Sequence, residues 1–140
     1  MIPELGHFAL ILALLLATAQ AFFGLAGAAR GQAAWMQAAR SAVVGQSVFI
    51  ATAFGALAWS FIDKDFSVLY VATNSNSELP IFYRIAAVWG AHEGSLLLWA
   101  LCLCAWSIAV TGLSSSLQPA FRSRVIGILG LISIGFLLFM

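Results

Sequence analysis

The chain has 140 residues, of which 63% are hydrophobic and 8% charged, with a formal net charge of +1. Average soluble domains carry about 25% charged residues, so a water-facing surface cannot be assembled from this composition, and the mean hydropathy of +1.03 equally excludes a disordered chain. The six Lys and Arg residues are scattered, whereas nucleic-acid binding needs them clustered. The composition is that of an integral membrane protein.

Four apolar stretches follow in chain order. The first, Leu5–Ala29, is uncharged and long enough to cross a hydrocarbon core of about 30 Å. It does not have the pattern of a signal peptide: Glu4 and no Lys or Arg precede it, and the run is too long for an h-region. The second, Ser41–Ile62, closes on Trp59 and Phe61, residues suited to anchoring at the interface. Segment 63–80 carries an Asn/Ser cluster and ends in Pro80, the composition of a loop. Phe66–Ala72 has some strand character, but an isolated strand needs a partner, and the segment is expected to lie on the membrane surface. The third stretch, Ile81–Val110, contains Arg84, His92 and Glu93. Charges at mid-bilayer cost about 2.5–3.5 kcal/mol each, which puts Trp89–Ser95 near the outer interface or against a protein-lined cavity. The last stretch, Val125–Met140, has sixteen residues. At about 1.5 Å per residue it falls short of a full span, and it has the look of a cut helix.

The expected fold is therefore all-α: a polytopic transmembrane helix bundle with complete spans at about 5–29, 41–62 and 85–111, a truncated fourth at 125–140, and an outer loop at 63–80. Arg30 and Arg40 share one connection and Arg122 and Arg124 another, while Lys64 stands alone in the loop between them. Positive residues favour the cytoplasm, so the N-terminus and loop 63–80 are expected outside. No internal repeat appears.

The densest chemistry lies in Tyr83–Trp99. On a continuous helix Trp89, His92, Leu96, Trp99, Leu103 and Trp106 recur at alternating three- and four-residue spacing and form one seam. Such a seam either packs a neighbouring helix or lines the edge of a flat aromatic ligand. His92 beside Glu93 suggests a metal or haem ligand with an acid nearby, set against the blander role of a hydrogen-bonded histidine. Leu96 stands where H-E-x-x-H needs its second histidine, which excludes a zinc protease. Gly90 and Gly94 form a G-x-x-x-G that permits close helix approach. His7 has the place of an interfacial polar residue, and Gln20 and Gln46 those of interhelical hydrogen-bond partners. Arg84 and Glu78 are expected to face water or headgroups. Cys102 and Cys104 make no zinc or redox spacing and count as small apolar residues. No C-x-x-C-H is present, and no nucleophile–base pair, phosphate loop or paired carboxylate can be assembled, so no catalytic residue and no metal site is identifiable.

Three segments nevertheless carry a resemblance. The opening Met1-Ile-Pro-Glu-Leu-Gly-His-Phe-Ala-Leu, the loop Asp65-Phe-Ser-Val-Leu-Tyr-Val-Ala-Thr-Asn-Ser-Asn with Leu79-Pro80, and Trp89-Gly-Ala-His-Glu-Gly-Ser-Leu-Leu-Leu-Trp99 resemble the N-terminal portion of the CcmF/NrfE family of cytochrome c maturation haem lyases. The resemblance covers essentially the whole chain. It implies a multi-pass protein of the bacterial inner membrane that handles haem at the outer face for covalent attachment to apocytochrome c. The implied partners are the haem chaperone CcmE, CcmH-type and CcmI-type subunits and apocytochrome c, within membrane lipid and without nucleic acid. The implied cofactor is haem, with its ligand region beyond these 140 residues. On this basis Trp89, His92, Glu93 and Trp99 are expected to support the outer haem cavity, and Asp65, Tyr70, Asn74, Asn76 and Pro80 form the outer-loop motif. Two other readings stand beside it: a fragment of a transporter for haem or another hydrophobic cofactor, and a non-catalytic structural membrane subunit.

Overall fold

The computed structural model describes residues 1–140. No strand forms. The helices are α1 (Ile2–Arg30), α2 (Ala33–Ile62), α3 (Leu69–Asn74), α4 (Ile81–Ala87), α5 (His92–Leu113) and α6 (Pro119–Phe139). Four of them, α1, α2, α5 and α6, are long and apolar enough to cross a membrane. Helix α1 packs on α2 and α6, and α5 packs on the same two, so the four close into an up-down-up-down bundle. The short α3 and α4 lie in the α2–α5 connection at one end, termed here the loop end. The opposite end carries the α1–α2 and α5–α6 turns and is termed the arginine end.

The size gradient of the bundle is the reverse of that in a soluble protein. Its core is built from Ala9, Ala13, Ala17, Ile50, Ala53, Leu97, Ala100, Cys104 and Leu137, while Phe8, Leu15, Phe22, Val48, Trp99, Trp106 and Leu138 point outward. Lipid is as apolar as leucine, so nothing drives large side chains inward, and small residues at the contacts let backbones approach. The closest approach is between α1 and α6. A Cβ on Gly24 would lie 2.8 Å from the Gly127 Cα, and one on Gly130 would lie 2.9 Å from the Ala21 backbone nitrogen. Two polar side chains bridge this seam: Gln20 Nε2 donates to the Ile126 carbonyl at 2.8 Å, and Ser123 Oγ donates to the Gly24 carbonyl at 2.8 Å.

The turns have local causes. Gly31 takes φ 64° after α1, and the Gln32 N–H closes the helix on the Gly27 carbonyl at 3.0 Å, a left-handed cap that glycine makes without steric cost. The Arg30 guanidinium stacks 5.1 Å above Trp35. At the far end of α2 the same cap is made by Lys64, with φ 57°, and the Asp65 N–H reaches the Ser60 carbonyl at 3.0 Å.

Several sequence expectations change. The stretch 85–111 is two helices: α4 ends at Ala87, Ala91 is extended, and α5 starts at His92. Helix α6 begins at Pro119, not Val125, because proline at the first turn loses no bond and presets φ. Its 21 residues give about 31 Å at the usual rise, long enough to cross a membrane. Arg122 consequently sits within the helix and is buried. Phe61 is fully buried, while Trp59 is exposed as an interface anchor would be. Part of loop 63–80 is helical, as α3, where β-branched residues suggested strand character. Gln20 bridges helices as expected, whereas Gln46 is buried with its Nε2 unpartnered.

Candidate functional site

The connection between α2 and α5 is folded around Tyr70. Its hydroxyl donates to the Val88 carbonyl at 3.1 Å and accepts from the Gly94 N–H at 3.1 Å. One oxygen thus ties α3, the end of α4 and the first turn of α5 together, satisfying one of the free N–H groups that begin every helix. The Tyr70 ring meets Phe61 edge-on with centroids 5.6 Å apart, and Phe61, Val71 and Val88 form a small separate core. Gly94 is required here, since a Cβ would collide with the Val88 carbonyl and the Tyr70 hydroxyl.

Arg84 is the second staple. It does not face water: half-buried, it donates through Nε to the Leu79 carbonyl at 3.0 Å and through a terminal nitrogen to the Ile62 carbonyl at 2.7 Å. The end of α2 is thereby held to the start of α4. The other loop-motif residues act locally. Asp65 accepts from the Ser67 N–H, Asn74 Nδ2 donates to the Tyr70 carbonyl at 2.9 Å, Asn76 accepts from the Glu78 N–H, and Pro80 caps α4.

Beneath this cap is a cavity of about 210 Å³ whose mainly apolar walls include His7 of α1, Ser60 of α2, Tyr70 of α3 and Glu93 of α5. Only Glu93 of the four expected support residues lines it. Trp89 precedes α5, and Trp89, His92 and Trp99 are exposed on the outside of the bundle. The expected six-residue seam is therefore broken at its top, and from His92 onward it lies on the outer side of α5. Sequence reasoning gave His7 only an interfacial place. What it lacked was the position of α1, which puts residue 7 on the wall of the same cavity as residues 60, 70 and 93.

The cavity holds one imidazole, His7, and one thioether, Met140, types that can ligate haem iron. Its volume is nonetheless below the roughly 300–1,000 Å³ of ordinary ligand pockets, and no cluster of three His, Cys, Asp or Glu side chains exists for a metal. These residues do not fit a haem. The site is a folded platform, not a cofactor pocket.

Comparison with known proteins places this platform. No family model matches the chain. It is 58% identical over 140 residues to the cytochrome c-type biogenesis protein CcmF of Pseudomonas aeruginosa, covering 100% of this chain and 21% of the relative. It is 53% identical over 139 residues to CcmF of Pseudomonas fluorescens, covering 99% of this chain and 21% of that protein. A solved structure, the cytochrome c heme lyase CcmF, superposes with a TM-score of 0.92 at 28% identity over 98% of this chain and 23% of its own. The chain belongs to the CcmF family. It spans about a fifth of the length of the curated relatives it matches. With four helices able to cross a membrane, it is a multi-pass inner-membrane protein.

Proposed function

We propose that this chain forms the N-terminal, membrane-spanning portion of a cytochrome c-type biogenesis haem lyase subunit, with its loop end at the outer face of the inner membrane. The observation that carries this reading is the Tyr70–Arg84 cap. The segments that resemble the CcmF family, 65–76 and 89–99, are the ones that Tyr70 draws together through Val88 and Gly94, over a cavity bordered by His7 of the third such segment. In this role the cap presents Trp89, His92 and Trp99 outward, where they border the site at which haem is delivered as substrate and joined to apocytochrome c. Glu93 supports them from within. CcmE as haem donor and CcmH- and CcmI-type subunits as presenters of apocytochrome c complete the assembly.

One observation favours a second reading, a purely structural unit: none of the four support residues makes a side-chain hydrogen bond, and three of them stand outside the cavity. Complementation separates the two. A strain lacking the gene receives the intact native reading frame with His92→Ala, and covalently bound haem in c-type cytochromes is measured alongside the level of the protein. The expected result is reduced cytochrome c at unchanged protein level. Normal yield at normal level removes His92 from the haem site and leaves the structural reading.

A further inference from the structure

At the arginine end one charged side chain is buried without a partner. Arg122 is 8% exposed, and its Nε is shut off from solvent with no hydrogen bond. No carboxylate answers it. The five acidic residues are Glu4, Asp63, Asp65, Glu78 and Glu93, and all of them stand at the loop end. The one ion pair, from the Met1 amino group to Glu4, is there too. A guanidinium keeps its charge in proteins, and burying a charge unpaired is costly. Retention of positive residues in the cytoplasm accounts for arginines near a helix end. It does not account for burying one, since Arg124, two residues on, is exposed.

The position of Arg122 shows where a partner has to stand. Ile126, one turn further along α6, is buried with Ala39 and Val43 of α2, and Val110 of α5 packs against them. Residues four apart share a helix face, and side chains lean toward the helix start. The Arg122 stem therefore runs along the side of α6 that faces α2 and α5, toward the open end of the bundle, and its terminal nitrogens emerge beside the first turn of α6. Two more donors are unused there. The N–H groups of Ala120 and Phe121 have no acceptor in the chain, and the N-cap residue Gln118 makes no side-chain bond to them. Free N–H groups at a helix start carry the positive end of the helix dipole and favour an anion. With Arg40 half-buried and Arg124 exposed at the same end, every fixed charge around this turn is positive.

We propose that the first turn of α6 binds a phosphate group, with the Arg122 guanidinium as its buried anchor and the Ala120 and Phe121 N–H groups as further donors. The source is the headgroup of an anionic phospholipid such as phosphatidylglycerol. Helix α6, with 21 residues, is about as long as the hydrocarbon core is thick, so its first turn sits at the level of the lipid phosphates. A guanidinium meets phosphate through two parallel N–H···O bonds, and basic pockets between membrane helices suit such headgroups. The bound phosphate gives Arg122 the counter-charge that the chain lacks.

The test measures lipid binding to the native gene product, purified in detergent and stripped of lipid. Thermal unfolding is followed with phosphatidylglycerol, phosphatidylcholine or inorganic phosphate added, and retained lipid is counted by native mass spectrometry. Phosphatidylglycerol is expected to raise the wild-type midpoint by several degrees, since a ligand of the folded state stabilises it, and phosphatidylcholine to raise it much less. Arg122→Gln is expected to weaken phosphatidylglycerol retention about tenfold, the loss of a charge-assisted bond, and Arg124→Gln to weaken it far less. Without lipid, Arg122→Gln is expected to unfold no earlier than wild type, because it removes an unanswered buried charge. An earlier midpoint would mean that Arg122 is satisfied within the fold, and equal losses at the two arginines would mean attraction to a charged surface; either overturns the site. Equal stabilisation by the two lipids overturns it on the wild-type protein alone, whether or not Arg122→Gln folds. Inorganic phosphate that stabilises as well as phosphatidylglycerol assigns the turn to a free anion and overturns the lipid source.

Discussion

At the scale of single residues, the loop end depends on one hydroxyl and one missing Cβ. Tyr70→Phe keeps the ring on Phe61 but removes both hydrogen bonds, to the Val88 carbonyl and from the Gly94 N–H. Leaving part-buried backbone groups unpaired costs about 1–3 kcal/mol, so the detergent-unfolding midpoint is expected to fall by a corresponding amount. Tyr83→Phe, at a side chain that is 66% exposed, is expected to leave it unchanged; equal effects at the two sites would disprove the staple. Gly94→Ala is expected to be at least as damaging as Tyr70→Phe, because the atoms its Cβ meets include a backbone carbonyl held by the end of α4. The sequence marked Tyr70 and Gly94 separately, one in a loop motif and one in a G-x-x-x-G. Nothing in periodicity joins residues 24 apart across an irregular connection, so their shared hydrogen bond was not legible. Arg84 was missed for a related reason. A charge beside Pro80 suggests exposure, and only the fold shows two backbone carbonyls converging on it.

At the scale of elements, hydrophobic length revealed the four long helices, because an uncharged run of this size has few other uses. It placed their ends poorly. Apolar content located α6 from Val125, whereas Pro119 starts it and carries Arg122 and Ser123 inside the helix. The break between α4 and α5 was invisible for the opposite reason: Ala91 is extended although alanine is the best of helix formers, so the tertiary staple overrides local preference. The α1–α6 pair makes a sharper prediction. Gly24→Leu puts a branched side chain where the Gly127 backbone already lies 2.8 Å from a bare Cβ, and it is expected to abolish a stable bundle, read as loss of monodisperse protein in detergent. Gln20→Leu keeps the volume but deletes the bond to the Ile126 carbonyl. Interhelical bonds of this kind are worth about 0.6–2 kcal/mol in membranes, so this variant is expected to fold with a modestly lowered midpoint. If Gln20→Leu is as damaging as Gly24→Leu, hydrogen bonding rather than close approach holds the pair.

At the scale of the whole molecule, the open question with a physical handle is which end of the bundle faces the cytoplasm. The sequence counted two basic residues in the first connection, one in the second and two in the third. The fold regroups them by end. Arg30, Arg40, Arg122 and Arg124 gather at the arginine end, and Lys64 and Arg84 at the loop end, which accounts for all six. The arginine end thus carries twice as many basic residues as the loop end. Lys64 Nζ donates to the Ser77 carbonyl at 2.9 Å and Arg84 donates to two carbonyls, bonds that leave both residues charged. Positive residues near helix ends are retained on the cytoplasmic side, so the bundle is expected to sit with its loop end outside, the side on which the proposed haem chemistry requires the cap. Both native cysteines lie within α5, out of reach of a charged reagent. Asn76→Cys in the loop and Ser115→Cys in the α5–α6 turn therefore report the two ends cleanly. In intact cells with a permeable outer membrane, a membrane-impermeant maleimide is expected to label Asn76→Cys and to reach Ser115→Cys only after the inner membrane is opened. The reverse pattern would turn the bundle over and place Trp89 and His92 at the cytoplasmic face. The proposed role at the outer face would then fail while the fold and the family assignment stood.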